Sequence, residues 1–199
     1  MKNIIKNMKR IFLTILGDIK FQYWPPFLYY EKGDYYKASG IDTRDAMDII
    51  QAGDIILRGY NHYLDGVFIP GEYSHTGVYV GNGKMIHSIA EGVSEINIIQ
   101  FLRCDRFMIL RPKFGQEKAI KRLWKWIGID YDFEFKSGNS ALYCHELGAE
   151  AYKELNVERK TPYLWKFKFN KMEKTYLAES FIENHNFIKV LEVNSKKKG

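Results

Sequence analysis

The sequence predicts an α+β domain built on a mostly antiparallel sheet. Five short runs rich in Ile, Val, Phe and Tyr follow one another between Ile55 and Leu110, with Gly, Asn and Asp between them. No helical crossover long enough to make them parallel separates these runs. Helical periodicity then takes over, across Glu117 to Ile127 and from Cys144 onward. At 199 residues, 46% hydrophobic and 16% aromatic, the chain suits one domain with a full core and is not disordered in composition.

The charge pattern narrows the partners. Seven of the 30 basic residues lie at the two ends, at Lys2, Lys6, Lys9, Arg10 and Lys196 to Lys198, leaving 23 against 24 acidic ones in the body. A nucleic-acid-binding domain would carry its excess along a folded face, so nucleic acid is not the expected partner. Basic ends suit solvated tails, an anionic membrane or a wall polymer.

In chain order, Ile4, Ile5, Met8, Ile11, Phe12 and Ile15 fall on one helical face, which predicts a basic amphipathic helix over 1–22. Its apolar run is too short to span a bilayer, Asp18 and Lys20 follow at once, and no small-residue cleavage site appears. Such a helix suits a membrane surface, the domain itself or a partner subunit. The prolines of Tyr23-Trp24-Pro25-Pro26-Phe27 end it and open an irregular aromatic strap over 23–42. The main domain is expected over 43–193, beginning with a short helix from Thr43 as N-cap to Ile50, and 194–199 forms a basic tail. Strands are expected at Ile55-Ile56-Leu57, His75 to Val80, Lys84 to Ile89, Gly92 to Ile96 and Arg106 to Leu110, with Gly81-Asn82-Gly83 a hairpin turn. The helix Glu117 to Ile127 should turn Ile120, Leu123, Trp124 and Ile127 inward and end at Gly128. A polar loop at Ser137 to Ser140, the cysteine helix, a Trp/Phe/Lys-rich connector from Thr161 to Lys174 and a last strand at Phe187 to Val193 complete the chain.

The chemistry-bearing stretch is Leu142-Tyr143-Cys144-His145-Glu146-Leu147. Leu147, Gly148, Ala151 and Leu155 recur at helical spacing, which sets Cys144 on the first turn. Unpaired N–H groups at a helix start favour a thiolate and, beside a protonated histidine, lower a thiol from its usual pKa of about 8.5. Alone, a cysteine there is more often a small buried residue. Two upstream histidines change the balance. In a hairpin register that sets Val80 opposite Lys84, His75 faces Ile89 and His87 becomes its diagonal neighbour on the same face, roughly 7–8 Å away between backbones. A thiol hydrolase needs a nucleophile, a base and a group that orients the base. Cys104 and Cys144 form no CxxC pair, and a zinc site from His75, His87 and Cys144 lacks a closely spaced ligand motif, so neither metal nor cofactor is expected. His62, His145 and His185 read as ordinary core or surface residues, and His145 should point about 100° around the helix from Cys144.

The ordered set Gly53-Asp54-Ile55-Ile56, Tyr73-Ser74-His75-Thr76-Gly77-Val78-Tyr79-Val80, Ile86-His87 before Glu91-Gly92-Val93, Tyr131-Asp132-Phe133 and Tyr143-Cys144-His145-Glu146-Leu147 resembles the permuted papain-like amidases of the YaeF/YiiX type. That family is a circularly permuted branch of the NlpC-type cysteine peptidases and is related to lecithin retinol acyltransferase. The resemblance implies a circularly permuted papain-like α+β fold whose antiparallel sheet packs on the helix carrying the nucleophile. It implies Cys144 as nucleophile, His75 as general base and His87 as the third member. That third position is often glutamate in the YiiX branch and histidine in the acyltransferase branch, with Glu91 a fallback orienter. It also suggests that Tyr143 or backbone N–H groups near Cys144 and Ser74 line the acyl site. Gly53, Asp54, Gly77 and Tyr131 would shape turns and packing.

The expected activity is amide hydrolysis through a thioester acyl-enzyme, in peptidoglycan stem peptides or related bacterial amides. A lipid-directed thiol acyltransferase, thioesterase or phospholipase on the same dyad is the alternative, and a non-catalytic binding or phage-particle component the third reading. With no signal peptide and no transmembrane span in the sequence, a cytoplasmic or a phage-delivered protein is expected.

Overall fold

A computed structural model describes residues 8, 11, 19–23, 26–30, 36–61, 71–136, 140–164, 167–168 and 173–194. His62, residues 137–139 of the expected polar loop, and most of the expected connector, basic tail and N-terminal helix lie outside them.

The core of the molecule is a six-stranded sheet in which every pairing is antiparallel. A hairpin comes first in the chain, β1 (Ile19–Tyr23) with β2 (Pro26–Tyr30). The sheet itself is made of β3 (Ile55–Gly59), β4 (His75–Gly81), β5 (Lys84–Ile89), β6 (Gly92–Asn97), β7 (Arg106–Pro112) and β10 (Phe187–Asn194), in the order β10-β7-β3-β4-β5-β6. The two-residue strands β8 (Tyr163–Leu164) and β9 (Phe167–Lys168) pair separately. The helices α1 (Gly40–Ile49), α2 (Ile98–Phe101), α3 (Gln116–Trp126), α4 (Cys144–Ala151) and α5 (Glu179–Ile182) accompany them. None of the described helices is long and apolar enough to cross a membrane.

Both faces of the sheet are covered, which is why β3 and β7 read as unbroken apolar runs. On one face Ile55, Leu57, Val78, Ile86 and Leu110 pack with Ala119 and Leu123 of α3 and Leu147 and Ala151 of α4. On the other, Ile56, Met85, Phe107 and Ile109 meet Ala46 of α1 and Ile98 and Phe101 of α2. Gly148 lets α4 lie close to β4, since a Cβ there would come within 3.1 Å of the Phe181 ring and 3.2 Å of Thr76 Cγ2.

Several sequence expectations are corrected. The N-terminal helix does not run to residue 22, because Ile19–Tyr23 is a strand. The strap is not irregular there, for its alternating aromatics suit the β1–β2 hairpin, with Pro26 at a strand start where its missing N–H does no harm. The first helix of the main domain starts earlier, at Gly40. Ser39, not Thr43, is the N-cap, and Ser39 with Asp42 forms a reciprocal capping box. In α3 the buried stripe is Ala119 and Leu123, with Trp126 packed behind them. Trp124 is 44% and Ile127 42% exposed, so both face outward. α4 stops at Ala151, and Leu155 belongs to a short 3-10 turn, Lys153–Leu155.

Gly53-Asp54 anchors the start of β3 to α1. Asp54 is 1% exposed and accepts Arg111 Nε at 2.9 Å and Nη2 at 2.7 Å, with the Gln51 N–H at 2.8 Å. Arg111 Nη2 also reaches the Ile49 carbonyl at 2.7 Å, so one guanidinium joins β7, β3 and α1. Gly53 has φ +99°, and the Tyr152 hydroxyl donates to its carbonyl. Removing one member of such a fork leaves a buried charge unpaired. Arg111→Ala, which leaves the buried Asp54 carboxylate without its cation, should therefore lower unfolding free energy by about 3 kcal/mol or more. Urea titration checks this, and a loss below about 1 kcal/mol, the range of a surface pair, would contradict it.

Candidate active site

The β4–β5 hairpin builds one half of the site. Asn82 (φ 53°) and Gly83 (φ 72°) form its two-residue turn, and a bulge falls between Tyr79 and Gly81. Gly81, not Val80, therefore pairs with Lys84, but beyond the bulge the expected register holds, with Tyr79 opposite Met85 and Gly77 opposite His87. His75, two residues before Gly77, is the diagonal neighbour of His87, and His75 Nε2 lies 3.0 Å from His87 Nδ1. The two rings meet edge to face at 5.2 Å. Gly77 is what makes room: a Cβ there would sit 2.7 Å from the Phe101 ring, which lies 5.7 Å from each imidazole.

The other half is the start of α4. Tyr143 is its N-cap and Cys144 its first residue, as expected from the sequence. Cys144 Sγ lies 3.9 Å from the Ser74 carbonyl, which accepts the thiol proton. The thiol is thus beside the first residues of β4, next to the backbone of His75. Its imidazole contact among the described residues is His145 Nδ1 at 3.3 Å, and no hydrogen bond joins it directly to His75. The expectation that His145 turns away from the thiol is corrected here. His145 is held inward by burial, 2% exposed against Phe181.

Burial dominates the electrostatics. It pushes the Cys144 thiol up to about 11, although the N–H groups of Thr76, His145 and Cys144, and the Arg58 charge, all favour the thiolate. The expected lowering at the helix start is therefore outweighed by desolvation. Burial, then the charges of Arg58, His87 and His145, holds His75 well below 6.5. Burial and Arg58 bring His87 down to about 3, and burial brings His145 down to about 4 against the pull of the Tyr73 carbonyl. The resting site is a neutral thiol among neutral imidazoles.

The remaining expected residues fall as follows. Tyr143 is 2% exposed, and its hydroxyl is engaged with Thr175 Oγ1 at 2.6 Å and the Tyr176 N–H at 2.7 Å, so it ties α4 to the chain before α5 and does not offer a free donor. Ser74 contributes its carbonyl to the thiol, while its N–H bonds the Arg58 carbonyl at 3.0 Å. Glu91 lies exposed in the turn between β5 and β6, while the partner of His75 is His87. Tyr131 stacks edge on with Phe133 at 5.1 Å in the segment that precedes α4. Glu146 was not singled out in the sequence. It is 1% exposed, and burial and the Asp132 charge push it up to about 7, opposed by the Tyr143 N–H that it caps. Arg58 and Phe101 were also missed; their place beside the histidines follows from the β3–β4 register and the position of α2, which no local motif announces.

A thiol at a helix start, packed against an antiparallel sheet that carries a histidine pair, is the architecture of the papain-like class. Within that class the chain belongs to the permuted papain-like amidases of the YaeF/YiiX type, the C92 family, whose description matches residues 49–194. A crystal structure described as metalloprotein yiiX from Escherichia coli O157:H7 is similar in fold, with a TM-score of 0.59 at 18% identity over 72% of this chain and 98% of that one. No curated protein matches the chain. His75 and His87 spend a ring nitrogen each on one another, and no group of three or more His, Cys, Asp or Glu side chains among the described residues could hold an ion.

Neutral buried imidazoles resist protonation, so an unfolded chain binds more protons between their folded values and the usual 6.5. The sign follows: their contribution to stability is full above 6.5 and is lost as pH falls toward about 3. Ring NMR titration should place His87 near about 3 and His145 near about 4, and a titration of His87 at 6.5 would show that the pair is solvated.

Proposed function

We propose that the chain is a cysteine amidase in which Cys144 is the nucleophile, His75 the general base and His87 its orienter. The observation that supports this is the 3.0 Å contact between His75 Nε2 and His87 Nδ1 beside the thiol-bearing helix start. In the tautomer in which His75 Nε2–H donates to His87, the lone pair of His75 is on Nδ1. That is the nitrogen left for a thiol proton. His87 is held neutral, so it accepts this hydrogen bond and stabilises the imidazolium formed later.

The step requires the Cys144 thiol to leave His145 Nδ1, which it contacts at 3.3 Å at rest, and to reach His75. His75 Nδ1 takes the Sγ proton as sulfur adds to the amide carbonyl carbon. The carbonyl π electrons move to oxygen, and the Cys144 N–H at the helix start supplies charge stabilisation for that oxyanion. Collapse breaks the C–N bond, His75 returns the proton to the leaving amine, and a thioester remains. Water, deprotonated by His75, then releases the acid and the thiol. Because both partners start neutral, this is general-base activation rather than a stored thiolate–imidazolium pair.

The favoured substrates are amides of peptidoglycan stem peptides. Purified wall peptides incubated with the protein should yield new amines and acids by mass spectrometry, and acyl-thioester on Cys144 should be trapped at short times. His75→Ala should lower acylation by at least about 10²-fold, the ordinary worth of a general base, and His87→Gln by less. His145→Gln should stay within about tenfold of wild type, since it removes only the resting contact. If His145→Gln is the variant that loses acylation while His75→Ala retains it, the base has been misassigned.

A further inference from the structure

We propose that Arg58 is a carboxylate subsite of this same thiol hydrolase, so that the preferred amide carries a free carboxylate close to the scissile bond. The inference rests on the amidase reading above. Arg58 is the β3 residue paired with His75, which places its side chain on the face of the sheet that bears His75 and His87. Its guanidinium lies over the Phe101 ring at 4.3 Å and near the Tyr60 ring at 5.5 Å, which hold the plane in place.

What singles out Arg58 is how little of its hydrogen-bonding capacity is used. Nη1 donates to the Phe101 carbonyl at 3.0 Å. Nε is enclosed and has no partner. Nη2 makes no hydrogen bond to the described residues and is not among the enclosed polar atoms, so it faces outward. The other arginines of the core are provided for: Arg111 by Asp54, Arg122 by Glu154, and Arg106 by the Glu72 and Tyr60 carbonyls and Asn61 Oδ1. No carboxylate among the described residues lies within ion-pair distance of Arg58. A half-buried cation without a counter-ion is costly unless an anion arrives, and a planar guanidinium fixed between aromatic rings matches a planar carboxylate. The charge also reaches the reacting groups, favouring the Cys144 thiolate and opposing protonation of His75 and His87. Stem peptides, with free carboxylates beside several of their amides, are of this chemical class.

Iodoacetate and iodoacetamide deliver the same carbon to sulfur and differ in charge, so their rates at Cys144 of the full chain, set against those at free cysteine, read the subsite. The wild-type preference for iodoacetate should exceed that of free cysteine by about tenfold, the worth of one charge-assisted contact, and the iodoacetate rate should saturate with concentration. Arg58→Gln should abolish both features, with Arg58→Lys between the two. Unchanged selectivity in Arg58→Gln, or a preference that never saturates, would overturn the subsite. Loss of structure on substitution would bring both reagents to their free-cysteine rates, and the wild type then decides: propionate should protect Cys144 from iodoacetamide where propionamide does not, and equal protection overturns the proposal. A wild-type protein that forms no acyl-thioester on Cys144 with wall peptides would instead overturn the amidase reading, and the subsite with it.

Discussion

The register of one hairpin governs this site. A sheet alternates its side chains, so shifting β4 against β5 by one residue would send His75 and His87 to opposite faces. The two-residue turn at Asn82 and Gly83 sets that register, the bulge at Val80 corrects it by one residue, and Gly77 opposite His87 leaves the space that the Phe101 ring fills. The ring in turn braces both imidazoles and carries Arg58 on its face. The histidine pair is thus held by backbone pairing and one aromatic wall, with no long side chain to order.

The helix of Cys144 brings the complementary part. Gly148 lets it approach β4 closely enough that the thiol reaches the Ser74 carbonyl, and Ser88 Oγ holds the Leu142 carbonyl at 2.5 Å just before the helix begins. The same closeness removes water. Desolvation then decides the protonation states, because three N–H groups and one distant cation do not repay the loss of solvent around a thiolate. A site of this kind is chemically quiet until a substrate brings polar groups into it, which also limits oxidation of the thiol at rest.

Much of this was legible in the sequence because it follows from local rules. Strand alternation, the Asn82-Gly83 turn and the spacing of His75 and His87 suffice to place two imidazoles together, and the small-residue spacing after Cys144 suffices to place it on a helix start. Local reasoning failed where tertiary contacts choose. Trp124 and Ile127 are apolar at helical spacing, yet the face that α3 presents is fixed by Ala119 and Leu123, small enough to fit beside α4. The Ser39-Gly40-Ile41-Asp42 capping box was present in the sequence and overlooked in favour of Thr43. Thiol acidity was misjudged because burial of Cys144 cannot be read from its own neighbours. Arg58 was invisible for a related reason: its significance lies in the absence of a partner, which only a folded chain displays.

The distribution of unsatisfied polar atoms draws these strands together. Buried polar groups are nearly always hydrogen-bonded, and each exception costs about 1–3 kcal/mol. Among the described residues the exceptions include Arg58 Nε, Thr76 Oγ1, Asp132 Oδ2, His145 Nε2 and Glu146 Oε2, with Asn61 Nδ2, beside Arg106, an exception elsewhere. His145 and Glu146 are on the first turn of α4, Thr76 packs against that helix, Asp132 is felt by Glu146, and Arg58 flanks His75. The fork of Arg111 on Asp54, by contrast, is satisfied. Stability is concentrated away from Cys144, and unmet hydrogen-bonding capacity is concentrated around it. A fold selected for packing alone would have no reason to arrange its deficits in that way, whereas a site that exchanges solvent for substrate polar groups needs donors and acceptors left open.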